Sequence, residues 1–168
     1  DVPFNADGSV SCFRIKNGRV DLKHRYVRTE RFLAERVAGR ALYGAYRNPF
    51  TDDPSVKGKS RNLANTNVLV HAGQLLALRE DSPPMAMDPV TLETRGSWTF
   101  GGKMEGKTFS AHAKIDPETG GMVSFGYDAK GQYSLDACYY EINAEGEIAH
   151  QTWFKVPYYS MLHDWGVT

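Results

Sequence analysis

Cysteine is nearly absent: Cys12 and Cys138 are two of 168 residues, and they lack CxxC spacing. That excludes a disulfide scaffold and makes two reduced thiols in a cytoplasmic protein the expectation. Net charge is absent as well. Twenty Lys and Arg balance 20 Asp and Glu, so no field of one sign draws in nucleic acid or an anionic membrane, and a small molecule or another protein is the expected partner. No apolar run approaches the roughly 20 residues that span a bilayer. The first residues, Asp1-Val2-Pro3-Phe4-Asn5, have no basic start like that of a secretory signal. An initiator Met and a polar tail after Trp165-Gly166-Val167-Thr168 are also lacking, and the chain reads as a segment of a longer protein. Alternation of strand-like and helix-like runs, the mark of a parallel α/β sheet, is missing too.

What is present is a globular composition, with 41% hydrophobic, 24% charged and 12% aromatic residues, arranged as short strands between turn signals. Val10–Ile15 and Arg19–Val27 flank Lys16-Asn17-Gly18, whose Asn-Gly pair suits a tight hairpin. Asn67–His71 and Gln74–Leu78 flank Ala72-Gly73, and Met85–Met87 and Leu92–Phe100 flank Asp88-Pro89-Val90-Thr91. Phe109–Ile115 pairs with Met122–Tyr127 across a Pro and Gly turn, and Leu135–Ile142 with Glu147–Val156 across Asn143-Ala144-Glu145-Gly146. Glu30–Arg40 breaks the pattern: Phe32, Leu33, Arg36 and Val37 follow helical spacing, with Thr29 as N-cap and Gly39 near the end. The residues from Tyr46 through Asn67 read as a long loop of the kind that lines a site. The predicted class is all-β, a propeller or a barrel. A propeller blade takes about 40 to 50 residues, so a ring cannot close within this length.

Gly101-Gly102-Lys103-Met104-Glu105-Gly106-Lys107-Thr108 satisfies the P-loop pattern. A phosphate cradle must open a helix, whereas Phe109–Ile115 alternates like a strand and runs into Asp116-Pro117, so nucleotide binding is disfavoured. Gly58-Lys59-Ser60 fails because Asp53 stands where the first Gly is required. Of the histidines, His24 and His150 lie in polar strands, and His71 precedes a turn glycine where a local hydrogen bond is expected. His112 and His163 follow small or apolar residues and are expected to point inward from strands. Spacing alone favours core histidines satisfied by hydrogen bonds over metal ligands.

Several stretches nevertheless form an ordered set: Leu42-Tyr43-Gly44-Ala45-Tyr46-Arg47-Asn48-Pro49-Phe50, Ala64-Asn65-Thr66-Asn67, Leu76-Ala77-Leu78-Arg79-Glu80-Asp81, Ala111-His112-Ala113-Lys114-Ile115-Asp116-Pro117 and Met161-Leu162-His163-Asp164. Through them the sequence resembles the carotenoid cleavage oxygenase family, most closely its bacterial lignostilbene dioxygenase branch, collinearly over essentially the whole chain. The resemblance implies part of a seven-bladed β-propeller, with residues 1–168 ending after the second of four histidines that hold one Fe(II), and with O2 as co-substrate. The first two ligands would be His112 and His163. Glu80 would orient an iron-ligating histidine, and Thr66 would lie beside the metal's open position. Imidazole suits Fe(II), and a carboxylate behind it fixes the tautomer.

In the stilbene-cleaving branch a Tyr and a Lys bind the substrate phenol and a Phe packs on its ring; the matching positions are Tyr46, Arg79 and Phe4. Arg79 departs from the family, since a guanidinium stays protonated where a buried ammonium can lose its proton. Ala113 replaces a Pro, and Phe4-Asn5-Ala6-Asp7-Gly8-Ser9 replaces an Asp- and Gly-rich motif. The implied activity is oxygenative cleavage of the central C=C bond of a phenolic stilbene into two aldehydes. The alternatives are cleavage of an apocarotenoid, a polyene without a phenol, and a non-catalytic fragment or assembly module. A homodimer is one expected arrangement; from charge and hydropathy, neither nucleic acid nor a membrane-spanning segment is expected.

Overall fold

The computed structural model describes residues 3–168, so the first two residues of the expected 1–168 domain lie outside the described residues. Strands β1 (Ser9–Lys16) and β2 (Arg19–Tyr26) form the first hairpin, and Asn17 and Gly18 at its tip take the positive φ values, 51° and 72°, that such a turn needs. Helix α1 (Glu30–Ala38) follows. The Thr29 side chain accepts a hydrogen bond from the amide of Phe32 at 3.1 Å, and Gly39 closes the helix in the left-handed region, so both ends are capped by the residues the sequence offers.

Two antiparallel meanders make up the rest. One has the order β3 (Asn67–His71), β4 (Gln74–Leu78), β5 (Met85–Met87), β6 (Thr94–Ser97); the other runs β7 (Lys114–Ile115), β8 (Met122–Gly126), β9 (Asp136–Ile142), β10 (Ile148–Lys155). All five expected hairpins pair. A four-stranded antiparallel meander is the unit from which propeller blades are made, and the fold is all-β and propeller-like.

Burial explains the layering. The run Leu75-Leu76-Ala77-Leu78 in β4 is apolar on both faces because the strand is covered on both. Leu76 and Leu78 pack with Ala86, Phe109, Met122, Cys138, Tyr140 and Ile142 between the two meanders. Leu75 and Ala77 pack with Met85, Met87, Leu92, Val10 and Val27 beneath the first hairpin. The Tyr140 hydroxyl donates to the Thr108 carbonyl at 3.2 Å, which lets a fully buried phenol sit in the core without an orphaned proton. Among the described residues no helix is long and apolar enough to cross a membrane.

Two predicted strands are shorter than expected, and one correction bears on the site. Leu92–Phe100 pairs only over Thr94–Ser97, because Leu92 and Phe100 both adopt positive φ and bend the chain away. Phe109–Ile115 pairs only over Lys114–Ile115. In between, the Ser110 amide still donates to the Phe125 carbonyl at 2.7 Å, but beyond it Asn67 donates to the Ala111 carbonyl at 3.0 Å and the His112 amide donates to the Ser110 hydroxyl at 3.0 Å, so side chains take the place of a strand partner there and the segment turns. After Thr108 the chain runs irregularly into β7 and no helix opens on the glycines, which removes the geometry a phosphate cradle requires.

Candidate active site

His112 stands on that turn and His163 in an irregular segment after β10, so neither points inward from a strand as expected. They are nevertheless brought together. The two Nε2 atoms face each other at 3.2 Å with the rings edge to face. Behind them, His163 Nδ1 lies 3.2 Å from Glu80 Oε1, just past the end of β4. A carboxylate only accepts, so in the neutral ring Nδ1 carries the proton and the lone pair of His163 falls on Nε2, which faces His112.

Trp165 ties the two histidine segments to each other. Its indole N–H donates to the His112 carbonyl at 3.0 Å, and its ring meets Phe125 edge to face at 5.5 Å. Lys114 pairs with Asp164 at 2.9 Å across the same seam. The tryptophan lies two residues beyond His163, and sequence reasoning gave it no role. His71, expected to bond locally, instead reaches the Gly120 carbonyl at 3.1 Å, and His24 bonds Ser11 at 2.8 Å on the exposed hairpin.

A pocket of about 540 Å³ opens beside His163, lined by Phe4, Tyr46, Asn65, Thr66, Arg79, Glu80, Met161 and His163. Every sequence-predicted site residue except His112 therefore lines one cavity, and His112 touches it through His163. Phe4 and Tyr46 lie with ring centroids 6.0 Å apart, and the Arg79 guanidinium sits 5.3 Å from the Tyr46 ring centroid. Asn65, to which the sequence assigned no role, holds the Phe4 segment by donating to the carbonyls of Phe4 at 3.2 Å and Ala6 at 2.7 Å. Thr66 is fixed by its amide, which donates to Leu78 at 3.0 Å.

The loop that carries Tyr46 is held from below. Glu35 accepts from the amides of Leu42 and Tyr43 at 2.8 and 3.0 Å, and Asp52 accepts from Gly44 at 2.8 Å while pairing with Arg61. A Cβ on Gly44 would collide with Thr51, so only glycine lets the loop fold this closely on itself. These contacts hold the Glu35 and Asp52 carboxyls below the usual range, although burial alone would raise them.

Arg79 is the electrostatic centre of the pocket. It is 6% exposed; its Nε meets Asp81 at 3.1 Å, and its Nη1 is buried with no hydrogen-bond partner. Burial pushes the Asp81 carboxyl up, against the pull of Arg79. A buried charged donor left unmatched is costly.

Imidazole–metal bonds are roughly 2.0 to 2.1 Å long, and two of them at a right angle set their nitrogens roughly 3 Å apart. The 3.2 Å Nε2 separation, with one lone pair already oriented by Glu80, fits two neighbouring ligands of one ion. Among the described residues no group of three His, Cys, Asp or Glu side chains gathers for a metal, so this chain's share would be two.

An antiparallel all-β scaffold thus carries two converging histidines beside an aromatic and arginine-lined pocket. The retinal pigment epithelial membrane protein family matches residues 1–168, and the chain belongs to it, the carotenoid oxygenase family. It is 54% identical over 165 residues to lignostilbene-alpha,beta-dioxygenase isozyme III of Sphingomonas paucimobilis, covering 98% of this chain and 34% of that protein. It is 53% identical over 165 residues to resveratrol cleavage oxygenase 1 of Aspergillus fumigatus, covering 98% of this chain and 33% of the relative. Among solved structures, the lignostilbene dioxygenase of Pseudomonas brassicacearum superposes with a TM-score of 0.93 at 51% identity, covering 98% of this chain and 34% of that one. The cobalt-substituted apocarotenoid oxygenase of Synechocystis superposes with a TM-score of 0.79 at 31% identity, covering 99% and 37%. The chain thus spans about a third of the length of the curated relatives it matches.

Proposed function

We propose that the protein to which these residues belong is a seven-bladed-propeller dioxygenase that splits the central C=C bond of a phenolic stilbene into two aldehydes. The observation that carries the reading is the pocket itself, in which Tyr46 and the Arg79 side chain line the same space as His163. Fe(II) held by His112 and His163, with further ligands from outside these residues, would supply the binding and reduction of O2.

The chain's own residues then bind and orient. Tyr46 Oη and the Arg79 guanidinium hold the substrate's phenolic oxygen, and Phe4 packs on its ring. A phenolate pushes electron density through the ring toward the double bond, and Arg79 stabilises that charge without taking the proton, which leaves by Tyr46 Oη or water. Thr66 and Met161 complete the cavity wall.

The test is the full-length enzyme with 4-hydroxystilbene under O2, read as formation of 4-hydroxybenzaldehyde and benzaldehyde. Absence of both aldehydes refutes the reading. Replacing Tyr46 with Phe keeps the ring and removes the hydroxyl, and the expected result is a roughly 10- to 100-fold fall in kcat/KM on the phenol, the size of a lost hydrogen bond to a charged oxygen. Unchanged turnover points instead to a polyene substrate, the kind the Synechocystis enzyme is named for.

Trp165→Phe supplies a milder check. The ring still packs on Phe125, but the bond to the His112 carbonyl is lost, and Fe(II) affinity by anaerobic titration is expected to weaken roughly 2- to 10-fold. Unaltered affinity removes Trp165 from the site.

A further inference from the structure

We propose that Arg47 is a positioning residue that pins the Tyr46 loop to the segment bearing His163; the catalytic side of this proposal rests on the function proposed above.

Arg47 adopts a left-handed backbone, φ 55°, which a non-glycine residue holds only where its surroundings impose it. What imposes it is visible at both ends of the residue. Its carbonyl accepts from Gln132 at 2.5 Å and from the Tyr133 hydroxyl at 3.1 Å. Its guanidinium donates to the Tyr127 hydroxyl at 3.1 Å, Asp128 at 2.5 Å and the Tyr159 hydroxyl at 2.6 Å. One residue thus joins three stretches of chain: its own loop, the β8–β9 connection, and the strap that follows β10. Burial alone would lower the guanidinium's pKa; its phenol and carboxylate partners outweigh that and hold it protonated above its ordinary value.

The two ends of this clamp are parts of the site. Tyr46 is the preceding residue in the loop, and Tyr159 lies two residues before Met161 and four before His163 on the strap. Tyr46 Oη and Met161 Sδ face each other at 4.0 Å, so any slippage between loop and strap alters the gap into which the substrate oxygen must fit. The planar fork spreads its donors over two nitrogens, Nη1 on Tyr127 and Nη2 on Asp128 and Tyr159, a span that the single ammonium nitrogen of a lysine does not reproduce.

Two arms of experiment decide it, both in the full-length enzyme. In the first, amide hydrogen exchange is compared between wild type and Arg47→Lys. Peptides covering residues 43–50 and 156–163 are expected to exchange faster together, by roughly tenfold, with β8 and β9 unchanged. In the second, Arg47→Lys is expected to lower kcat/KM on 4-hydroxystilbene roughly 10- to 100-fold when Tyr46 is present, and less than about threefold in a Tyr46→Phe background, since a residue acting through Tyr46 has nothing left to position. Tyr159→Phe removes one bond of the clamp and is expected to shift both readouts the same way by less, which keeps the test intact if Arg47→Lys folds poorly. A uniform rise in exchange, or equal loss of activity in both backgrounds, means a general structural role and overturns the proposal. A wild type that makes no aldehyde refutes the substrate reading alone, and the exchange arm still decides whether the clamp exists.

Discussion

Replacing Arg79 with Met in the full-length enzyme is expected to lower kcat/KM on 4-hydroxystilbene by roughly 30-fold to several thousand-fold, the range for deleting one partner of a desolvated charge pair. The side chain is buried, packs over the Tyr46 ring, and holds an Nη1 that meets no acceptor in the protein. A methionine fills the space but offers no donor to a phenolate. It also leaves Asp81 without its ion partner, which destabilises the fold by a separate route. The two effects separate in Arg79→Met with Asp81→Asn: stability should recover, and turnover should not. Arg79→Lys restores the positive charge as a point donor and should fall within about tenfold of wild type, with a new dependence on pH because an ammonium can release its proton. Equal turnover by wild type and Arg79→Met would remove Arg79 from phenol recognition.

The scaffold was legible to the degree that local chemistry dictates it. Asn17-Gly18 and Ala72-Gly73 supply positive φ, Thr29 and Gly39 cap the helix, and the unbroken run in β4 announces a strand covered on both faces. The strand predicted over Phe109–Ile115 failed because alternation records which side chains are buried, not where the backbone finds its hydrogen bonds. Here the Asn67 and Ser110 side chains serve Ala111 and His112, and the chain turns to deliver His112. The candidate site was legible only through resemblance, since Phe4, Tyr46, Arg79 and His163 lie far apart in sequence and no spacing rule gathers them. Arg47 and Trp165 left no signal at all: one acts through a strained backbone and a three-way fork, the other through a bond to a main-chain carbonyl.

Anaerobic Fe(II) titration of full-length variants should give the other large effect. His163→Ala and His112→Ala are each expected to abolish stoichiometric binding, because each removes one of the two nitrogens that converge at 3.2 Å. Glu80 is the more informative position. Its carboxylate both selects the His163 tautomer and makes the ring a better donor to a cation, and those roles respond differently to substitution. Glutamine keeps an oxygen that can accept from Nδ1 and loses only the charge, whereas alanine loses both. Fe(II) affinity should therefore weaken roughly 10-fold in Glu80→Gln and roughly 100-fold in Glu80→Ala, the span reported by second-layer substitutions at histidine metal sites. Equal losses in the two variants would mean that orientation alone matters, and binding untouched by either would mean that the Glu80 and His163 contact serves the fold and that the metal, if held, is held elsewhere.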